Sequence, residues 1–212
     1  MPLPSEVSRE IGQIAHRGKA GRVRELVQEA VDALEAEGYA DAIEPLVAAK
    51  RDAPRSPSIR ELLGLAYYHL ERWRESAAEL AAYRRLSGRA DQDHVYADCE
   101  RALGRPDRAL EILAEPAPDD ADDELLVERL LVTAGAHSDL GRYAEAVDTL
   151  LRGPVEPRSV EPHHLRLWYA LADALEAAGR RRDARSWWDA VYAEDPEFFD
   201  VADRRLGLRS SG

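Results

Sequence analysis

The feature that most constrains this chain is a six-residue frame that occurs four times between stretches of helical apolar spacing. It reads Glu71-Arg72-Trp73-Arg74-Glu75-Ser76, Gly104-Arg105-Pro106-Asp107-Arg108-Ala109, Gly141-Arg142-Tyr143-Ala144-Glu145-Ala146 and Gly179-Arg180-Arg181-Arg182-Asp183-Ala184. Successive copies start 33, 37 and 38 residues apart. A weaker copy, Gly38-Tyr39-Ala40-Asp41-Ala42, is one residue shorter and stands 33 residues before Glu71. A period of this size marks a chain built from stacked supersecondary units.

The stretches between the frames carry the spacing of amphipathic helices. Ile59, Leu62, Leu63, Ala66, Tyr67 and Leu70 fall on one helical face, as do Val127, Leu130, Leu131 and Ala134, and Trp168, Leu171, Ala172 and Leu175. No stretch of comparable length alternates apolar and polar residues, so the expected class is all-α. Within each frame the glycine suits the left-handed residue that ends a helix. The acidic positions that follow complement the dipole of the next helix. The small last residue, Ser76, Ala109, Ala146 or Ala184, lets the two helices approach closely.

These features resemble the tetratricopeptide-repeat family, whose unit of about 34 residues is a helix hairpin with the pattern W-x2-L-G-x2-Y, then small and aromatic positions and a proline. The best match to the first part is Arg60-x2-Leu63-Gly64-x2-Tyr67, with arginine at the tryptophan position. The last unit has Trp168-x2-Leu171-Ala172-x2-Leu175, then Ala184, Trp188, Val191 and Pro196. The units around Tyr96-Ala97 and Thr133-Ala134 match more poorly. Blocks such as Ala82-Tyr83-Arg84-Arg85-Leu86-Ser87-Gly88 are similar to uncharacterised actinobacterial members. The resemblance implies a right-handed α-solenoid of about five antiparallel helix hairpins with short terminal capping helices.

The expected organisation is one domain over 1–212. A cap helix occupies 1–19, hairpins occupy 20–55, 56–89, 90–120, 121–160 and 161–196, and a closing cap and tail occupy 197–212. The inward residues of the first cap are Val7, Ile11 and Ile14; those of the last are Phe198, Val201, Ala202 and Leu206. The two longer spacings come from an acidic segment at 116–123 and a segment with three prolines at 153–162, both expected to be irregular.

Charge and cysteine content narrow the function. The chain of 212 residues carries 41 acidic and 29 basic residues, a net charge of −12. Such a balance disfavours nucleic acid and anionic lipid. The single cysteine, Cys99, rules out an internal disulfide and removes most of the usual structural zinc patterns. No leader and no membrane span are read from the sequence, which points to a cytoplasmic protein.

No nucleotide, nucleophile-elbow or metalloprotease motif occurs. No catalytic, cofactor or metal residue is assigned. The adjacent His163 and His164 point about 100° apart on a helix, which suits a helix start better than one shared ion. Cys99, between Asp98 and Glu100, is expected to be a small buried residue. Trp168, Trp187 and Trp188 are expected in the core, with Trp73 packing against a neighbouring hairpin.

In the family, the first helix of each hairpin lines a concave groove that takes a peptide or partner helix. Carried over by helical phase, the groove candidates are Asp32 and Glu35; Glu61, Leu65 and Tyr68; His94, Asp98 and Arg101; Leu131; and Tyr169, Asp173 and Glu176. With the flanking positions Glu25, Asp91, Glu128, Asp139 and Arg166, the set holds ten carboxylates against Arg101 and Arg166. A surface of one sign favours a partner of the other. The expectation is therefore a non-enzymatic scaffold that binds a basic or amphipathic protein segment, with Leu65, Tyr68, Leu131 and Tyr169 as apolar anchors.

One subclass of the family grips acidic chaperone tails with lysine, arginine and asparagine. Here the corresponding positions are Gln28, Asp32, Glu61 and Leu65, and the chain contains no asparagine, so such tails are not expected to bind. The alternative is an accessory subunit of an enzyme or RNA-processing complex. It would contact nucleic acid through the basic run Arg9, His16, Arg17, Lys19, Arg22 and Arg24. Oligomeric state stays open.

Overall fold

The computed structural model describes residues 2 to 207. Among them it is all-α, with twelve helices and no strand. The expected tail at 208–212 lies outside the described residues. The chain divides into two compact units, Met1–Arg105 and Pro106–Gly212.

The first unit comprises α1 (Ser5–Ile14), α2 (Ala20–Glu35), α3 (Tyr39–Asp52), α4 (Pro57–His69), α5 (Trp73–Ser87) and α6 (Asp93–Ala102). Val23, Val27 and Ala30 of α2, Leu46 and Ala49 of α3, and Ile59 and Leu63 of α4 are all 0% exposed and form one core. The start of α4 is defined chemically. The Ser56 hydroxyl accepts from the Ile59 amide at 3.3 Å, and Pro57 occupies the first turn, where its missing N–H costs nothing. The carboxylate of Glu10 accepts from the Ser56 and Ser58 hydroxyls, which ties α1 to that same helix start while Ile11 is buried beneath it.

The hairpin turns share one geometry, and it corrects the register of the weak copy. The residue after the left-handed position donates its N–H back along the chain: Arg72 to Tyr67 at 2.9 Å, Arg105 to Glu100 at 2.9 Å, Arg142 to His137 at 2.9 Å and Arg180 to Leu175 at 2.8 Å. The same bond runs from Gly38 to Ala33 at 2.8 Å. Gly38 therefore matches Arg72, not Glu71, and the left-handed residue is Glu37, at φ 57°. The copy is a full six residues, Glu37 to Ala42. Its glycine misled because it sits one position beyond the residue with positive φ. Glu37 and Glu71 (φ 56°) adopt the conformation that Gly104, Gly141 and Gly179 supply elsewhere.

The sixth position of every copy, Ala42, Ser76, Ala109, Ala146 or Ala184, is 0% exposed. Close helix approach explains this in the α4/α5 hairpin. A Cβ built on Gly64 would stand 2.6 Å from the Leu80 side chain. The Ser76 hydroxyl donates to the Gly64 carbonyl at 2.8 Å, and the Cys99 thiol donates to Ser76 at 3.2 Å.

The second unit comprises α7 (Pro106–Leu113), α8 (Asp123–Asp139), α9 (Tyr143–Leu150), α10 (Pro162–Ala177), α11 (Arg181–Glu194) and α12 (Val201–Gly207). Its core gathers Val127, Val147, Leu150, Leu167, Leu171 and Val191 around Trp188, which is 0% exposed. Trp168 is buried there and Trp187 packs on its edge. Residues 114–122 and 151–161 are irregular but tethered. Arg129 donates to the Glu115 carbonyl, Asp122 caps α8 through the Leu125 amide at 2.8 Å, and the Trp168 indole donates to the Val155 carbonyl at 3.0 Å.

Candidate functional site

The residues named for the groove fall in both units. In the first, α2 presents Asp32 and Glu35 on its surface, with the Gln28 amide donating to Asp32 at 2.8 Å. On α4 the Tyr68 hydroxyl donates to Asp98 of α6 at 2.7 Å, and Arg101 pairs with the other oxygen of Asp98 at 2.7 Å. Glu61 accepts from Gln92 at 2.9 Å, and burial raises its carboxyl above the usual range. Tyr68, Asp98 and Arg101 thus form one cluster, while Glu61, earlier on α4, meets Gln92 instead. Leu65 and His94 are half-buried on α4 and α6.

Tyr68 also stands edge-on to Trp73, with ring centroids 5.4 Å apart. Trp73 therefore packs on the first helix of its own hairpin. The basic run near α1 is partly engaged: Arg24 donates to the Ser8 carbonyl at 3.1 Å, while Arg17, Lys19 and Arg22 are exposed.

In the second unit Leu131 is half-buried against the core rather than displayed. Tyr169, Asp173 and Glu176 of α10 converge on α12 and the segment before it. The Tyr169 hydroxyl donates to Asp200, and burial together with this bond pushes its pKa up to about 12. Arg204 pairs with Asp173 and lies 3.5 Å from Glu176. Its guanidinium also sits over the Trp188 ring, 4.8 Å from the centroid. Asp200, Arg204 and Gln92 are the partners that sequence reasoning missed. A signal existed: Asp200 follows Tyr169 by 31 residues, close to the 30 that separate Asp98 from Tyr68.

Chemistry that would suggest turnover is sparse. Cys99 is 0% exposed, and burial pushes its thiol up to about 11, which leaves it a poor nucleophile. Among the described residues no group of three His, Cys, Asp or Glu could hold a metal ion. His164 is 4% exposed, and its Nδ1 accepts from the Glu161 amide at 2.9 Å, so it closes the start of α10. A cavity of about 330 Å³ in the second unit lies between Leu113, Leu126, Leu130 and Pro154, beside Arg129. No described helix is long and apolar enough to cross a membrane.

No family model and no curated protein matches this sequence. Solved structures do. The apo form of the quorum sensor NprR from B. thuringiensis aligns with a TM-score of 0.71 at 14% identity. That match covers 88% of this chain and 57% of NprR, so the chain spans a little over half of that protein. NprR in complex with its cognate peptide NprX aligns with a TM-score of 0.59 at 14% identity over 88% of this chain and 59% of that one. A thermophilic TPR protein of Thermus thermophilus, TTC0263, gives 0.61 at 16% identity over 88% and 98% of the two chains. YrrB, a TPR protein with an unusual peptide-binding site, gives 0.60 at 13% identity over 85% and 90%. Helix hairpins with a shared turn, a small residue at each crossing and these structural matches together establish that the chain has the fold of tetratricopeptide-repeat proteins.

Proposed function

We propose that this chain is a non-catalytic scaffold that binds a segment of another protein, basic or amphipathic, on the first-helix faces of its units. The observation that carries the reading is the excess of carboxylates on these helices in each unit: Asp32, Glu35, Glu61 and Asp98 against Arg101 in the first, and Asp173 and Glu176 meeting Arg204 in the second. A face with an excess of one sign attracts and orients a partner of the other. That NprR is found with its peptide NprX, and that YrrB has a peptide-binding site, supports a peptide or protein as ligand. A cytoplasmic location accompanies the reading. Contact with nucleic acid through the α1 side is the weaker alternative, because the chain is strongly acidic overall.

The test is a fluorescence-anisotropy titration of amphipathic lysine- and arginine-rich peptides, with glutamate-rich counterparts as controls. The wild type is compared with the Asp32→Lys, Asp98→Lys, Asp173→Lys triple variant. Basic peptides are expected to bind the wild type, to weaken at least tenfold in the variant, and to weaken with salt. Acidic peptides and short RNA are expected not to bind. Equal binding of basic peptides by both proteins would overturn the reading.

A further inference from the structure

The α10 residues Tyr169, Asp173 and Glu176 are met by Asp200 and Arg204 of the chain's own closing segment, whose helix α12 packs mainly on α11. Compare α6, which stands against α4 in the first unit. There Asp98 accepts from Tyr68, and Val95, Tyr96, Ala97 and Cys99 beside it are all buried. In the second unit Asp200 accepts from Tyr169 and Arg204 pairs with Asp173, in nearly the same spacing. Yet α12 buries only Val201 fully. The segment makes the polar contacts of a repeat's first helix on a thinner anchorage: Val201 in the core, Phe198 packed on its edge, and Arg205 paired with Asp189 and lying over Tyr192 of α11.

Three further facts point the same way. α12 has seven residues, well below the length of roughly 12–15 at which a helix begins to hold by itself. Its ion pairs are open to water, with the Asp173 side chain 58% and Arg204 30% exposed, so they orient more than they bind. Phe199, at the approach to α12, is 73% exposed and held at φ 46°, a left-handed conformation that a bulky residue rarely adopts. Its ring stands 5.2 Å from that of Tyr169.

We infer that the α10 face is an interaction surface occupied in cis by α12. In trans it accepts a helical partner segment of the same chemistry: an aromatic residue, a carboxylate directly after it, and an arginine one turn further on. The inference rests on the scaffold reading above and names the occupant of one of its faces. Tyr169 selects the aromatic–carboxylate pair, and Asp173 with Glu176 selects the arginine. Trp188 adds a ring face beneath the guanidinium.

A fluorescein-labelled synthetic peptide spanning residues 197–207 serves as the probe, titrated against full-length protein. In the Val201→Asp variant the internal segment is released, because a buried apolar contact becomes a charge. The peptide is expected to bind this variant at least tenfold more tightly than the wild type. Adding Asp173→Lys, or replacing the arginine at 204 of the peptide with glutamate, is expected to remove that gain. Equal affinity for wild type and Val201→Asp, or binding to neither, would overturn the inference. So would a dimer that exchanges α12 between two copies, seen by analytical ultracentrifugation. Should Val201→Asp lose its helical circular dichroism, full-length Arg204→Glu replaces it and carries the same expectations. The companion variant Asp32→Lys with Asp98→Lys separates the two readings. It should leave probe binding unchanged while weakening the basic peptides of the preceding test.

Discussion

The hydroxyl of Tyr68 and the carboxylate of Asp98 stand 2.7 Å apart, joining the first helices of two successive hairpins. Asp98 is held at its other oxygen by Arg101, so the tyrosine meets an oriented charge. Removing the hydroxyl in Tyr68→Phe leaves the Asp98–Arg101 pair in place and deletes one partly exposed bond to a charged acceptor. The expected loss is about 1 kcal/mol, or a fall in Tm of ~2–4 °C. Trp73 is the one tryptophan of the first unit and lies edge-on to Tyr68, which makes its fluorescence a local reporter of unfolding in urea. An unchanged midpoint would mean that water replaces the bond without cost.

The left-handed residues give a prediction with the opposite sign. Glu37 and Glu71 hold φ values of 57° and 56° in turns where three other copies have glycine. Left-handed backbone costs an L-residue about 1–2 kcal/mol, partly offset by the greater freedom of glycine in the unfolded chain. Glu71→Gly is therefore expected to stabilise by roughly 0.5–1 kcal/mol, and Glu37→Gly likewise. Gly141→Ala should destabilise by a similar amount. Urea midpoints that move the other way would show that Glu37 and Glu71 make compensating contacts.

Gly64 tests the close approach of α4 and α5. A methyl group there would lie 2.6 Å from Cγ and Cδ2 of Leu80, which is itself 1% exposed and has little room to retreat. Gly64→Ala is expected to cost about 1–3 kcal/mol through overpacking, outweighing the better helix propensity of alanine. Pairing it with Leu80→Ala should recover part of the loss, and a double-mutant cycle measures how much. Strict additivity would place the strain elsewhere.

The imidazole of His164 gives a pH dependence. Its Nδ1 accepts from the Glu161 amide, so that nitrogen is unprotonated. Burial first, and then the neighbouring His163, hold its pKa below the ordinary value, with Asp123 acting in the opposite sense. On acidification the unfolded chain therefore takes up this proton before the folded one does. The contribution is complete above the unfolded pKa of about 6.5 and is lost as pH falls from there through the lower folded value. Urea midpoints are expected to drop between about pH 7.5 and pH 5.5, and less so in His164→Gln, which keeps an acceptor. Identical pH dependence in the two proteins would remove His164 as the cause.

Local signals were legible wherever one segment's chemistry decided the outcome. The spacing of Ile59, Leu63 and Tyr67 announced a helix with one buried face because three- and four-residue steps return to the same side. The small residues Ser76, Ala146 and Ala184 announced helix crossings, and each is 0% exposed. The turn at Glu37 was misplaced by one residue. A glycine is only the favoured occupant of a left-handed site, and two glutamates take that conformation here.

The charged faces were less legible, since helical phase names the side chains on a face but not what lies across from them. Asp98, Asp173 and Glu176 all read as open carboxylates. In the folded chain Asp98 is shared by Tyr68 and Arg101, and the other two meet Arg204 from 31 and 28 residues away.

By itself the sequence determined the helices, their hairpin turns, the small residues at their crossings and the acidic bias of the first helices. These are short-range properties, set by apolar periodicity, backbone preference and residue volume. Tertiary structure alone decided which carboxylates are committed to internal partners, that Tyr169 meets Asp200 and Asp173 meets Arg204, and that Val201 is the only fully buried residue of α12. Those outcomes depend on distances between segments some 30 residues apart. Such distances are fixed when the hairpins pack, and side-chain identity along one helix carries no record of them.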